Sequence, residues 1–286
     1  MTTSTTTAST AETRYVEVDG IQFGYRDLGP DEGPTPPLVL LHRFRAVMDD
    51  WDPLFLDALA AERRVIVFDN RGLGATGGKT NTTLEGAADD AAAFIRALGI
   101  EQVDLLGWSM GGMTAPIVAL RHPELVRRLI LAGTCPPGNP ESAPSPKHWL
   151  DVAAKPAYVD EDILYIFFSP SETSIRKGRE SLARMDKPSQ PGSSLKTSPE
   201  TMLAQIGAIE AFWANEQGWF EKLKEIQQPT LVANGDTDVA FPILDSVILF
   251  REIPNSQLTV YPDANHGFLF QEPVNFATEV LAFLSD

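Results

Sequence analysis

Gly107-Trp108-Ser109-Met110-Gly111 is a G-x-S-x-G stretch in a setting that suits a serine nucleophile. The apolar run Val103-Asp104-Leu105-Leu106 before it reads as a short buried strand, and Met110 to Ala115 after it as the first turn of a helix. So tight a turn strains the serine backbone, and a Cβ on either neighbour would clash; Gly107 and Gly111 remove both clashes. Ser109 then stands clear at the strand's C-terminal end. The Met110 N–H lies at a helix start, where a developing oxyanion is favoured.

A serine hydroxyl attacks only when a base takes its proton. The chain has four histidines, His42, His122, His148 and His266. His266, in Asp263-Ala264-Asn265-His266-Gly267, follows the last strand-like run and is the best base. His122 closes the helix after Ser109 and reads as a helix-terminal residue. His148 reads as a surface or packing residue. His42 follows an apolar run and reads as shaping a loop. The acid belongs after Thr230-Leu231-Val232-Ala233-Asn234, where Gly235-Asp236-Thr237-Asp238 offers two carboxylates. Asp238 is the choice and Asp236 the alternative; the other Asp then caps local backbone N–H groups. The preceding strand's loop, Ala132 to Cys135, has no carboxylate.

These candidates need a frame. Tyr15 to Val18 and Ile21 to Tyr25 alternate around Asp19-Gly20, a hairpin signal. The runs Leu38 to Leu41, Val65 to Phe68 and Val103 to Leu106 read as buried apolar strands, as expected when both faces are covered, and Val126 to Ala132 as another strand. Helical patterns lie between them: Trp51 to Leu59, Leu84 to Leu98 and Met110 to about His122. That alternation predicts an α/β fold, a mostly parallel sheet flanked by helices, with its site at the strands' C-terminal ends. Gly29 to Pro37 reads as a loop. The texture changes after Gly133. Cys135 to Pro146 is a proline-rich linker, Trp149 to Phe168 and Thr201 to Trp213 look helical, and Lys187 to Ser198 reads as a loop. The sheet resumes at Thr230 and Gln257 to Tyr261, and Val274 to Leu284 closes the chain as a helix. The expected organisation is a disordered tail over 1–13, a core over 14–133 and 229–286, and a helical cap over 134–228.

The order Ser109, Asp238, His266 on this alternation resembles the α/β-hydrolase family. The resemblance spans nearly all of Tyr15 to Leu284 and rests on Gly107 to Gly111, Asp69-Asn70-Arg71-Gly72-Leu73-Gly74, Gly235 to Asp238 and Asn265-His266-Gly267. Within the family it looks like the small esterases, lactonases and cofactor-free haloperoxidase-like proteins with a helical cap. It implies an acyl-enzyme on Ser109, with His266 as base and Asp238 orienting it, and water releasing the acid. It also implies two oxyanion donors, the N–H groups of Met110 and Phe44. The family pattern at the second is His-Gly-x, and Arg43 stands here in the Gly position. Arg43 and Arg45 could meet an acidic substrate group or pair with Asp49, Asp50 or Asp52.

Substrate pockets are mostly apolar. The aromatic-rich cap therefore predicts lining by two or three of Tyr165, Phe168, Phe212 and Trp213, with Trp108, Met113, Phe241 and Phe268 below. The expected substrate is a small apolar or aromatic ester or lactone. Perhydrolase or haloperoxidase-like chemistry at the same triad, and a receptor that binds without turnover, are the alternatives. A formal charge of −16 argues against nucleic acid and anionic membranes as partners. With one cysteine, Cys135, no internal disulfide forms, and a cytoplasmic setting is expected. No H-E-x-x-H, G-K-[ST] or G-x-G-x-x-G pattern occurs, so neither a metal nor a cofactor is expected.

Overall fold

A computed structural model describes residues 6–30, 35–138, 141, 145–185 and 197–285. Eight strands form one sheet: β1 (Arg14–Val18), β2 (Ile21–Leu28), β3 (Leu38–Leu41), β4 (Val65–Phe68), β5 (Val103–Trp108), β6 (Val126–Ala132), β7 (Thr230–Gly235) and β8 (Ser256–Tyr261). Their order across the sheet is β1-β2-β4-β3-β5-β6-β7-β8, with β2 antiparallel to both β1 and β4 and every other pair parallel. Crossovers between parallel strands need helices, and these are α1 (Pro53–Ala60), α2 (Leu84–Ala97) and α3 (Met110–Arg121) before β6. Five more, α4 (Lys147–Ala153), α5 (Asp160–Phe167), α6 (Glu172–Met185), α7 (Pro199–Trp213) and α8 (Trp219–Lys222), lie between β6 and β7. They are the inserted helical cap. The chain ends with α9 (Ile243–Glu252), α10 (Phe268–Gln271) and α11 (Pro273–Ser285).

The two-residue period of a strand divides the core. Val39, Leu41, Leu105, Leu129 and Leu131 face one layer, with Phe94 of α2 and Val118 of α3. Leu38, Leu40, Leu106, Ile130 and Ala132 face the other, with Phe55 of α1 and Phe276 of α11. Both layers exclude water, which is why these strands read as unbroken apolar runs. The exceptions are the half-buried Arg127 and Arg128 on β6 and the fully buried Asp104 on β5, which accepts from Arg63 at 2.5 Å and Arg127 at 2.7 Å.

Several elements follow from local chemistry. Asp19 and Gly20 take φ of 50° and 77°, the conformation that a type I′ hairpin turn requires. The Asp52 side chain caps α1 by accepting from Leu54 N–H, with Pro53 at the first helical position. Asp52 also accepts from Ser181 Oγ at 2.6 Å and Arg184 Nη2 at 2.6 Å, both on α6. The sequence reading named no helix over Glu172–Met185, because few of its residues are apolar. That helix docks through polar contacts to Asp52 and through Gly178, which lies against Leu164 and Phe168.

One expectation changes. The tail is not free after residue 5: Gly29 N–H donates to Thr6 O at 2.9 Å, Ala8 N–H to Asp57 Oδ1 at 2.7 Å, and Ala11 is 1% exposed. Small side chains let this segment lie close against α1. Residues 1–5 of that call lie outside the described residues, as do 31–34 of the Gly29 to Pro37 loop. Parts of the linker (139, 140 and 142–144) and most of the Lys187 to Ser198 loop (up to 196) are outside them too. Among the described residues no helix is long and apolar enough to cross a membrane.

Candidate active site

β5 runs into α3 through Ser109, which takes φ 58° and ψ −118°. A side chain rarely adopts that conformation, at a cost on the order of 1–3 kcal/mol. The surroundings hold it there. Ser109 N–H donates to Ala132 O at 2.9 Å, and Ser109 O accepts from Thr134 Oγ1 at 2.9 Å and from Met113 N–H at 3.1 Å. A Cβ on Gly107 would lie 2.2 Å from Gly111 O, and one on Gly111 would lie 2.3 Å from Leu41 O. No side chain fits at either position. The second contact also puts the start of α3 against the end of β3, so the loop after β3 borders the elbow.

Asp238 follows β7 and His266 follows β8. His266 Nδ1 is 2.9 Å from Asp238 Oδ2, and His266 Nε2 is 2.9 Å from Ser109 Oγ. An ionised carboxylate only accepts, so Nδ1 carries the proton and Nε2 is left to accept from the hydroxyl. The other oxygen of Asp238 accepts from Ala240 N–H at 2.7 Å and Phe241 N–H at 3.0 Å. Both carboxylate oxygens are thus occupied, and the group cannot swing. Asp236 Oδ1 accepts from Ala264 N–H at 3.2 Å and organises the turn instead. All three members of the chain are buried; Ser109 is 6% exposed.

The histidine loop is pinned on three sides. Asn265 Oδ1 accepts from His266 N–H at 2.8 Å and Val239 N–H at 3.0 Å. Trp108 Nε1 donates to His266 O at 3.1 Å, and Gly267 N–H to Phe167 O at 2.7 Å. Four aromatic rings surround the imidazole: Phe167 stacked at 5.8 Å, Phe241 edge-on at 5.4 Å, Trp108 at 5.8 Å and Trp149 at 6.3 Å.

The loop after β3 is built on His42. Trp51 Nε1 donates to His42 Nδ1 at 2.7 Å, so His42 Nε2 carries the proton and donates to Phe68 O at 2.6 Å. Burial pushes the His42 pKa down to about 4, and the ring stays neutral. Arg43, in the position where resemblance calls for glycine, avoids positive φ; Arg45 takes it instead, at 63°. Of the two arginines only Arg43 pairs with a nearby acid as expected. Arg43 keeps a 3.4 Å contact with Asp50, but Arg45 reaches none of the nearby acids and inserts into the cap. Asp49 pairs with Arg26 and Asp52 with Arg184.

A family model described as the alpha/beta hydrolase fold matches residues 36–273. The chain belongs to the alpha/beta hydrolase fold family. A solved alpha/beta hydrolase fold protein from Chitinophaga pinensis superposes with a TM-score of 0.84 at 32% identity, covering 98% of this chain and 99% of that one. RutD of Agrobacterium fabrum, whose name assigns it provisionally to carbamate hydrolysis, is 28% identical, over 90% of this chain and 95% of its own. The 2-hydroxymuconate semialdehyde hydrolase of a Pseudomonas species is 28% identical over 93% of both chains.

The predicted pocket residues of this hydrolase-fold chain fall into two groups. Met113, Phe212 and Phe241 join one buried apolar cluster with Met110, and Phe44 packs against it. Four of the others belong elsewhere. Phe268 packs on Tyr261 and Phe276 between the sheet and α11. Tyr165 is 39% exposed beside His148, and Trp213 is 40% exposed, with its Nε1 on Cys135 Sγ. Phe168 packs against Gly178 of α6, and its neighbour Phe167 faces the histidine. Phe168 stands just past the end of α5 with an extended backbone, so the two neighbouring rings leave in different directions. Trp108 lies under His266 rather than in an open pocket. Sequence reasoning passed over Phe167 and Trp149, though both sit in the aromatic cap segments it marked. A small cleft beside Met110 is lined by Asn70, Arg71, Thr80 and Gln205 together with Leu84, Ala87 and Ala208, and its accessible lining is mostly apolar. Among the described residues no three His, Cys, Asp or Glu side chains could hold a metal ion together.

Proposed function

We propose that this protein is a serine hydrolase of small carboxylic esters or lactones. The supporting observation is the unbroken chain from Asp238 Oδ2 through His266 to Ser109 Oγ, with both links at 2.9 Å. Ser109 Oγ attacks the carbonyl carbon as His266 Nε2 takes its proton. Asp238 keeps Nδ1 protonated and stabilises the imidazolium that forms. The Met110 N–H at the start of α3, with the Phe44 N–H, receives the oxyanion; one such donor contributes ~3 kcal/mol to lowering the barrier. His266 returns the proton to the leaving oxygen. Water, deprotonated by His266, then releases the acid from Ser109. The buried apolar cluster that Met113, Phe212 and Phe241 form with Met110 favours an apolar or aromatic acyl group.

The Pseudomonas relative favours a second reading, hydrolysis of an unsaturated oxo acid by the same residues. A fluorophosphonate probe, followed by a panel of acyl esters, lactones and 2-hydroxymuconate semialdehyde, separates these. Labelling of Ser109 with ester or lactone turnover supports the first; turnover of the semialdehyde alone supports the second. Acceleration by peroxide with an added carboxylic acid marks a perhydrolase. A folded protein that does not label is a receptor, and that outcome removes both hydrolase readings.

A further inference from the structure

Phe44 sits between two arginines, and each of them grips a different part of the cap. Arg45 Nη1 donates to Lys155 O at 2.6 Å and Ala153 O at 3.3 Å, and its Nη2 donates to Pro156 O at 2.9 Å. Its guanidinium also lies 5.1 Å from the Tyr158 ring centroid. Its backbone is tied to the cap as well: Arg45 N–H donates to Gln205 Oε1 at 2.9 Å, and Arg45 O accepts from Thr197 Oγ1 at 2.9 Å. On the other side, the Arg43 guanidinium lies 5.0 Å from the centroid of Phe167, at the end of α5, and 5.6 Å from that of Trp108. Arg43 Nη1 donates to Phe44 O at 2.9 Å.

We propose that Arg45, with Arg43, makes the oxyanion loop conditional on a seated cap, as a pair of positioning residues. The physical reason is that Arg45 is only 9% exposed and holds φ 63°, a conformation that opposes an L side chain. A buried guanidinium is costly unless its N–H groups are met. In this protein the cap carbonyls of 153, 155 and 156 and the Tyr158 hydroxyl meet its terminal N–H groups, and Gln205 holds the Arg45 backbone N–H. With the cap lifted, Arg45 loses those partners and relaxes to negative φ, and the peptides flanking Phe44 turn with it. With the cap seated over substrate, the Phe44 N–H points back at the site beside Met110. Hydrolysis is thereby confined to the closed state, and acyl transfer to stray water is slowed in the open one.

The inference relies on the ester-hydrolase reading for its kinetic arm alone. Arg45→Ala, Arg45→Lys and Gln205→Leu are measured for ester kcat and KM and for backbone hydrogen exchange over residues 42–47 and 153–158. The expected result for Arg45→Ala is a kcat loss of roughly 10- to 1,000-fold, as for one oxyanion donor, with KM changed by less than about threefold. Exchange at 43–47 rises about tenfold or more. Arg45→Lys does not restore kcat, because one ammonium cannot span three carbonyls; millimolar ethylguanidinium added to Arg45→Ala restores part of it. Gln205→Leu moves kcat and loop exchange the same way by less, and it decides the matter if Arg45→Ala does not fold. Unchanged kcat and loop exchange while 153–158 exchange faster would overturn the coupling, as would a rise in KM alone. Coupled exchange in a protein without ester turnover keeps this inference and sinks the hydrolase reading. Turnover without coupled exchange does the reverse.

Discussion

Phe167 lies face-on against His266, with ring centroids 5.8 Å apart and planes 16° from parallel. Phe167 O also accepts from Gly267 N–H, next along from the histidine. A cap residue therefore forms one wall of the imidazole site. Its neighbour Phe168 turns away and packs on Gly178. This adjacent pair makes a controlled comparison. Phe167→Ala is expected to lower kcat for esters as well as stability, because the imidazole gains room to leave the Ser109 line. Phe168→Ala is expected to cost about 3–5 kcal/mol of stability, as large-to-small aromatic changes do, while leaving the ranking of acyl substrates unchanged. Urea unfolding and a p-nitrophenyl ester series on both variants check this; equal kinetic losses would mean the wall has no role of its own.

Ser109→Ala and His266→Ala are each expected to abolish ester turnover without unfolding the protein. The double variant should be little worse than either one, because the two side chains act as a unit. Asp238→Asn is expected to drop kcat by about 10⁴-fold, since an amide can present N–H to Nδ1 and select the wrong tautomer. Asp236→Asn touches only the Ala264 turn and is expected to lose far less. Steady-state kinetics on the four single variants and the double decides it, and the opposite ranking of the two aspartates would reassign the acid.

His42 and Asp69 predict opposing pH dependences of stability. His42 titrates at about 4 in the folded chain, because burial opposes its charge, against 6.5 in the unfolded one. Between those values the unfolded state binds the extra proton. Its contribution is therefore fully present above pH 6.5 and is lost as pH falls towards 4, by about 3 kcal/mol. Asp69 goes the other way. Burial raises it to about 6, so the folded state binds the extra proton between about 6 and 3.8 and stability gains there on acidification. His42→Gln keeps an acceptor for Trp51 and a donor for Phe68 O but cannot titrate. Relative to wild type, its unfolding free energy is expected to improve from pH 7 to 4.5. Parallel curves for the two proteins would refute the assignment to His42.

Asp104 is fully buried between Arg63 and Arg127, and Arg127 Nη2 also donates to Leu284 O at 2.7 Å. Asp104→Ala leaves the Arg63 and Arg127 guanidinium groups without their shared carboxylate, and a loss of about 3–5 kcal/mol is expected. The triple change of Asp104, Arg63 and Arg127 to apolar residues should cost less than Asp104→Ala alone, because no charge is left unmatched. Chemical denaturation of both variants tests this. A smaller loss in the single variant would mean water reaches the arginines.

The sequence by itself determined the elements whose signal is local. Gly107 and Gly111 announce the elbow because no Cβ fits beside Gly111 O or Leu41 O, and that exclusion is written in two residue types. The mostly apolar runs of β3 to β6 announce a sheet covered on both faces, and their order with the helices carries Ser109, Asp238 and His266 to one edge. What only the tertiary structure decided is which side each cap residue presents. Helix α6 is mostly polar and docks through Asp52, 129 residues from Ser181, so no periodicity in its own sequence reports it. Phe167 and Phe168 are alike in type and adjacent, and their roles separate where α5 ends and the backbone extends at Phe168, which turns its ring onto Gly178 while Phe167 lies against Gly267. Arg45 reads locally as a surface cation near acids. Its φ of 63° and its burial against the carbonyls of 153–156 exist only once the cap folds back over the loop after β3. Contacts between segments a hundred residues apart depend on how whole layers stack, and layer stacking leaves no short-range pattern for a sequence to display.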